Sequence, residues 1–277
     1  MAGLNESLSA LDLERKPERG ARPTRRGSRR LLGVRVDVSD YLEAAHAILA
    51  MADAGGGMTC VATVHTLMEA WDDPAFRAIV NDAELVTSDG MPLVWSLRKL
   101  GARHASRVYG PTLMPFLCEH AARRGVPVGF YGGRPEVMEE LTHRLVRRYP
   151  RLAIAFTHCP PHSDAPPELD EEIAAAIEES GVRVMFIGLG CPKQERWMAA
   201  YREHVTCALV GVGAAFDFVA GVKRQAPAWI QRAGFEWLFR LACEPRRLWR
   251  RYAWHNPRFA VHMALQLARA PGGSREP

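Results

Sequence analysis

The 277-residue sequence has no run of about 20 apolar residues, so no part of it reads as a bilayer-spanning helix. It has no Cys-x-x-Cys pair. Its six cysteines (Cys60, Cys118, Cys159, Cys191, Cys207 and Cys243) are scattered. That scatter argues against a zinc ribbon or a disulfide scaffold, and for a reducing compartment. No apolar stretch follows the first charges, so no signal peptide is expected. No Gly-x-Gly-x-x-Gly follows a strand pattern and no Gly-Lys-Ser/Thr occurs, which disfavours NAD binding and P-loop ATP hydrolysis. Net charge is small, at +5, but unevenly placed. Residues 1–30 carry eight Lys/Arg against four acidic residues, and the segment from Arg232 to Arg258 carries seven Arg against Glu236 and Glu244. The remainder is slightly acidic. Basic ends on such a body point to an anionic partner: phosphate, a lipid surface or nucleic acid.

What is present is a globular composition, 48% hydrophobic and 24% charged, with alternating strand and helix patterns. Residues 1–30 are rich in Arg, Gly, Ser and Pro and are expected to be disordered. Strands are predicted over 31–38, 58–64, 85–87, 126–131, 152–156, 182–187 and 208–212. Helices are predicted over 41–52, 65–80, 91–100, 111–124, 135–148, 169–180 and 192–203. This alternation implies a Rossmann-like α/β domain over 31–228, with a mostly parallel sheet covered on both faces. A helical, Arg-rich appendage is predicted over 229–277.

In such sheets ligands sit beyond the carboxyl ends of the strands. That rule selects the loops at Ala62-Thr63, Ser88-Asp89-Gly90, Gly132-Gly133-Arg134, 157–162, 188–195 and 211–217. Residues 186–197, FIGLGCPKQERW, are the most informative. Gly188 and Gly190 allow close backbone approach, and Pro192 suits the first turn of a helix whose N–H groups favour an anion. Lys193, Gln194 and Glu195 follow in that turn. Gly132-Gly133 and Gly211-x-Gly213 add two further glycine-rich strand ends, which makes a nucleotide the economical ligand. Asp217 is a candidate for a sugar hydroxyl or for a helix N-cap. Asp89 is a candidate general base, although Asp-Gly is also a common turn pair. His158, Cys159 and His162 are separated by Pro160-Pro161 and lack a second ligand cluster, so no metal is expected there. The segment 232–258 mixes Arg with Trp237, Phe239, Trp249, Tyr252 and Trp254. It fits a diphosphate grip and an anionic membrane face, with single-stranded nucleic acid as the rival partner.

With these residues set out, the chain resembles the WecG/TagA/CpsF family of bacterial glycosyltransferases over roughly 31–260. The resemblance rests on Asp73-Pro74-Ala75-Phe76, Ser88-Asp89-Gly90-Met91-Pro92, Val108-Tyr109-Gly110, Gly132-Gly133 and Gly188 to Glu195. It continues through Gly211 to Asp217, Ala226-Pro227-x-Trp229, Gly234 to Arg240 and Glu244-Pro245-x-Arg247-Leu248. It implies inverting, metal-independent transfer from a UDP-sugar to a polyprenyl-diphosphate-linked saccharide. It also implies no cofactor, no nucleic-acid partner, and a peripheral place on the cytoplasmic membrane face through the C-terminal region. The state of oligomerisation is left open. Asp89 matches the family's proposed base. Thr63 stands at the Asn of its usual Thr-x-Asn, here Val61-Ala62-Thr63, and is carried as a catalytic candidate. Gln225 stands where Arg is common, with Arg224 one residue earlier. Arg107, Arg240, Arg247 and Arg251 are the candidates for the acceptor diphosphate. The rival class is a nucleotide- or nucleic-acid-binding α/β protein without turnover.

Overall fold

The computed structural model describes residues 27–269 except 162 and 164. Most of the predicted disordered tail, together with His162 and 270–277, lies outside the described residues. Within them, Ser28–Leu31 is strand β1, so the tail prediction fails for its last residues. The strand predicted over 31–38 is in fact a hairpin: β1 pairs antiparallel with β2 (Val34–Asp37). Leu32 (φ 50°) and Gly33 (φ 85°) make the turn. Two positive φ values in a two-residue loop suit the right-handed twist of a hairpin.

Six further strands form one parallel sheet: β3 (Gly57–Ala62), β4 (Leu85–Ser88), β5 (Val128–Gly132), β6 (Ile154–His158), β7 (Val184–Gly188) and β8 (Ala208–Gly211). Their order is β4-β3-β8-β7-β5-β6. The helices α1 (Tyr41–Ala54), α2 (Val64–Asp72), α3 (Pro74–Asp82) and α4 (Met91–Lys99) belong to the first half. Next come α5 (Gly110–Arg124), α6 (Pro135–Arg148), α7 (Glu171–Glu179), α8 (Lys193–Tyr201) and α9 (Ala215–Val219). The C-terminal part holds α10 (Ala228–Arg232), α11 (Glu236–Cys243) and α12 (Pro245–Arg269).

The helix predicted over 65–80 is two helices. Asp73 caps α3 by accepting from Ala75 N and Phe76 N, and Pro74 opens that helix where its missing N–H costs nothing. At α1, Asp40 and Glu43 form a reciprocal capping box, typically worth about 1 kcal/mol.

The sheet divides the core in two. Along β7, Val184 and Phe186 face one cluster with α1, α5 and α6. Met185 and Ile187 face the other, with α2, α8 and the apolar residues of α12. This period of two on a sheet buried on both faces is why the strand reads as a continuous apolar run. No helix among the described residues is long and apolar enough to cross a membrane, and all six cysteines are unpaired.

Candidate functional site

An all-parallel sheet puts all six carboxyl strand ends on one edge. Asp89 follows β4 there, its N–H bonded to Ala62 O at 2.7 Å. The segment after α4 is stitched to the same strand end. Val108 N donates to Ser88 O at 2.9 Å, and Ser88 Oγ donates to Ser106 O at 2.9 Å. Those bonds deliver Arg107. Its Nε and Nη2 donate to Asp89 Oδ1 at 3.2 and 3.1 Å, and Nη2 also donates to Glu236 Oε2 at 2.6 Å. The guanidinium stacks over Tyr109, 4.0 Å from the ring centroid.

Glu236 comes from the first turn of α11, in the C-terminal part. Gly234 (φ 79°) makes this approach possible: a Cβ there would stand 2.6 Å from the Trp95 ring of α4. The appendage is therefore docked on the domain at the catalytic candidate, not tethered beside it.

Both side chains of the Asp89–Arg107 pair are only 14% exposed. Burial pushes the Asp89 carboxyl up to about 6; Arg107 opposes that shift and Glu236 reinforces it. A carboxylate poised near neutrality suits a general base. Burial opposes the charge on Arg107, but the two carboxylates outweigh it and hold the guanidinium firmly protonated.

The cluster heads a cavity of about 510 Å³ that Thr63, His65, Arg240, Arg251 and Tyr252 also border. Thr63 caps α2, exchanging bonds with Thr66. Arg240 lies over the Phe218 ring. The far wall is a stripe along α12: Arg251, His255, Phe259, Met263 and Leu267, spaced four residues apart on one helical face. Met91, Pro92 and Trp95 of α4 stand opposite. Of the arginines singled out in the sequence, Arg107, Arg240 and Arg251 meet here. Arg247 does not: it is exposed and paired with Glu244.

The glycine-rich turns lie elsewhere on the same edge. None of Gly132, Gly133, Gly188, Gly190, Gly213, Pro192, Lys193, Gln194, Glu195 or Asp217 borders this cavity. β4, which leads to Asp89, and β7, which leads to Gly190, are three strands apart in the sheet, about 14 Å between strand axes. Several of these residues have packing roles. A Cβ on Gly132 would meet Gly188 backbone at 2.9 Å, and one on Gly188 would meet the Phe216 ring at 2.7 Å. Gln194 is buried, accepts from Gly213 N at 2.9 Å and donates to buried Glu195 at 3.0 Å. Burial raises the Glu195 carboxyl above its usual range. Asp217 is within α9 and not at its N-cap, and pairs with Lys223 at 2.8 Å. Pro192 is the N-cap of α8 rather than its first helical residue as predicted; Lys193 is the first. Lys193 bonds to Ser163 O at 2.6 Å. Gly190 is the member of the set (φ 81°) at which a Cβ would meet open space.

A family model for WecG/TagA/CpsF glycosyl transferases matches residues 29–272. The chain belongs to that family. It is accordingly a glycosyltransferase of cell-wall or polysaccharide synthesis. The match runs from β1 past the end of α12, so the docked C-terminal helices are part of the transferase. Glu236, Tyr109 and His255 also border the cavity and have no role in the sequence-based reading. Glu236 and Tyr109 stood inside the quoted family motifs, which was the available signal. At the end of β6, His158 stacks on Tyr131 and Cys159 lies 3.7 Å from Gly132 O. Among the described residues, the one cluster spaced to hold a metal is His65, Glu69 and His255.

Proposed function

We propose that this transferase moves a sugar of the N-acetylmannosamine or glucose type from UDP to a polyprenyl-diphosphate-linked saccharide, with inversion. The observation that carries the reading is the cavity headed by Asp89. Its α12 wall grades from Arg251, Tyr252 and His255 to Phe259, Met263 and Leu267, over 16 residues or about 24 Å of helix. A charged head and an apolar arm in one cavity match a ligand that is a diphosphate at one end and hydrocarbon at the other.

In this mechanism Arg240 and Arg251 hold the acceptor diphosphate. The acceptor hydroxyl approaches Asp89. Arg107 engages Oδ1, leaving Oδ2 to take the hydroxyl proton as the oxygen–C1 bond forms. The C1–O bond to UDP breaks in the same step, and UDP departs with the electron pair. General-base help of this kind contributes about 10²–10⁴-fold. Cationic side chains and helix N-termini stabilise the leaving diphosphate, so this step requires no metal. The UDP lies along the strand ends toward Gly190 and Lys193.

Exposed Trp229, Phe235, Leu238, Trp249 and Trp254, with exposed Arg246, Arg247 and Arg250 beside them, suit a peripheral seat on the anionic inner face of the membrane. The test is a panel of UDP-sugars incubated with a short polyprenyl-diphosphate-saccharide, followed by assay of free UDP. Acceptor-dependent UDP release from one member supports the reading. Nucleotide binding without release on every donor contradicts it.

A further inference from the structure

His65, Glu69 and His255 gather where α12 crosses α2. His65 and Glu69 share one face of α2, four residues apart, and His255 comes from the docked helix. His65 Nδ1 lies 3.5 Å from Glu69 Oε1, and His255 Nε2 lies 3.6 Å from the same oxygen. The three donor atoms all fall within 4.8 Å of one another. These separations are long for hydrogen bonds, and the buried His65 Nδ1 has no hydrogen-bond partner. The two histidine–glutamate separations are close to the edge of a tetrahedral site, where ligands about 2.0–2.1 Å from zinc stand about 3.3–3.4 Å apart; the remaining pair, within 4.8 Å, must draw closer on binding.

The second layer is built at His65, whereas the buried His255 Nδ1 has no hydrogen-bond partner. His65 Nε2 lies 3.3 Å from Cys191 O. A carbonyl can only accept, so this contact places the ring proton on Nε2 and leaves the Nδ1 lone pair facing Glu69. A ligating histidine is oriented in the same way by a carbonyl on its other nitrogen. The Arg251 guanidinium opposes a cation here. Glu69, within the set, opposes it in turn.

We propose that His65, Glu69 and His255 bind one divalent ion of the zinc class, which ties α12 to α2. Two imidazoles and one carboxylate select zinc, cobalt or nickel over magnesium or calcium. The Arg258–Asp72 ion pair already joins the same two helices, so the ion completes an existing contact. His65 and His255 both border the cavity, so the fourth position opens toward it and takes water or an anionic oxygen. His255 is remote in sequence from the His65/Glu69 pair, so no local spacing marks this cluster.

The test uses the full-length protein after treatment with chelator. One equivalent of Zn²⁺ is added, the protein is desalted, and bound zinc is counted by elemental mass spectrometry. Co²⁺ is added in parallel for its visible spectrum. The expected result is about one retained zinc, undisplaced by excess Mg²⁺, with the intense bands of four-coordinate Co²⁺. His255→Ala and Glu69→Gln should each weaken binding by at least about 100-fold, while Asp89→Asn should retain the ion. A wild-type protein that retains no zinc and shows only weak six-coordinate Co²⁺ bands overturns the proposal. So does a folded His255→Ala protein that binds as tightly as wild type.

Discussion

Asp89 and Glu236 share the guanidinium of Arg107, whose Nη2 stands 3.1 Å from Asp89 Oδ1 and 2.6 Å from Glu236 Oε2. One carboxylate is at the end of a core strand and the other is in the C-terminal helices. This ties the proposed base to the docked state of the appendage, and it sets the pH behaviour.

A base with its pKa at about 6 is active when deprotonated. In the free enzyme, kcat/KM should therefore rise with pH through about 6 and level off above. Glu236→Gln removes a charge that raises the Asp89 pKa, so the rise should move to lower pH. Arg107→Gln removes the charge that lowers it, so the rise should move to higher pH. A pH–rate profile for each variant reads both directions.

Stability has the opposite sign. The Asp89 pKa is higher in the folded protein than in the unfolded chain, so its contribution favours folding at low pH and is lost as pH rises through about 6. The shift corresponds to a differential on the order of 3 kcal/mol. Asp89→Asn should thus melt no lower than wild type at pH 8. Calorimetry of the two proteins checks this.

Gly132 separates packing from ligand contact. A Cβ there would meet Gly188 backbone at 2.9 Å, at a positive φ of 112°. Overpacking of this kind costs about 1–3 kcal/mol. Gly132→Ala should lower the melting temperature, and donor affinity should fall only as the folded fraction falls. Unchanged melting with lost UDP binding would instead make Gly132 a nucleotide contact.

The membrane seat rests on exposed side chains around the start of α12. Replacing Trp249 with Ala, together with Arg246 and Arg250 with Gln, should weaken binding to vesicles containing anionic lipid, with less effect on neutral vesicles. Co-sedimentation at low and physiological salt measures it.

Omitting Mg²⁺ and Mn²⁺ should leave turnover unchanged, because arginines and helix N-termini carry the diphosphate charge. Turnover that requires added Mg²⁺ would contradict this.

Much of this was legible in the sequence. The strand–helix alternation gave the parallel sheet, and the carboxyl-end rule placed Asp89, Thr63 and the glycine turns on one edge. The Arg-rich segment flagged Arg240 and Arg251. The failures have physical causes. The apolar periodicity runs through Asp73-Pro74, although an Asp cap and a Pro at N1 start a new helix there. The hairpin at 31–38 depends on Leu32 taking a left-handed conformation that nothing in its residue type announces. Gln194 and Glu195, the donor-contact candidates in a helix's first turn, are buried, with Gln194 accepting from Gly213 N and donating to Glu195, an inward turn that local pattern does not encode. Glu236 and His255 join the site only through tertiary docking of the appendage, and local pattern does not encode that.

The most direct test compares acceptor-dependent UDP release by wild type and Asp89→Asn, with donor affinity measured on the same preparations. If Asp89 is the base, turnover falls by about 10²–10⁴-fold with UDP affinity nearly unchanged. Wild-type turnover by the Asn variant would contradict it.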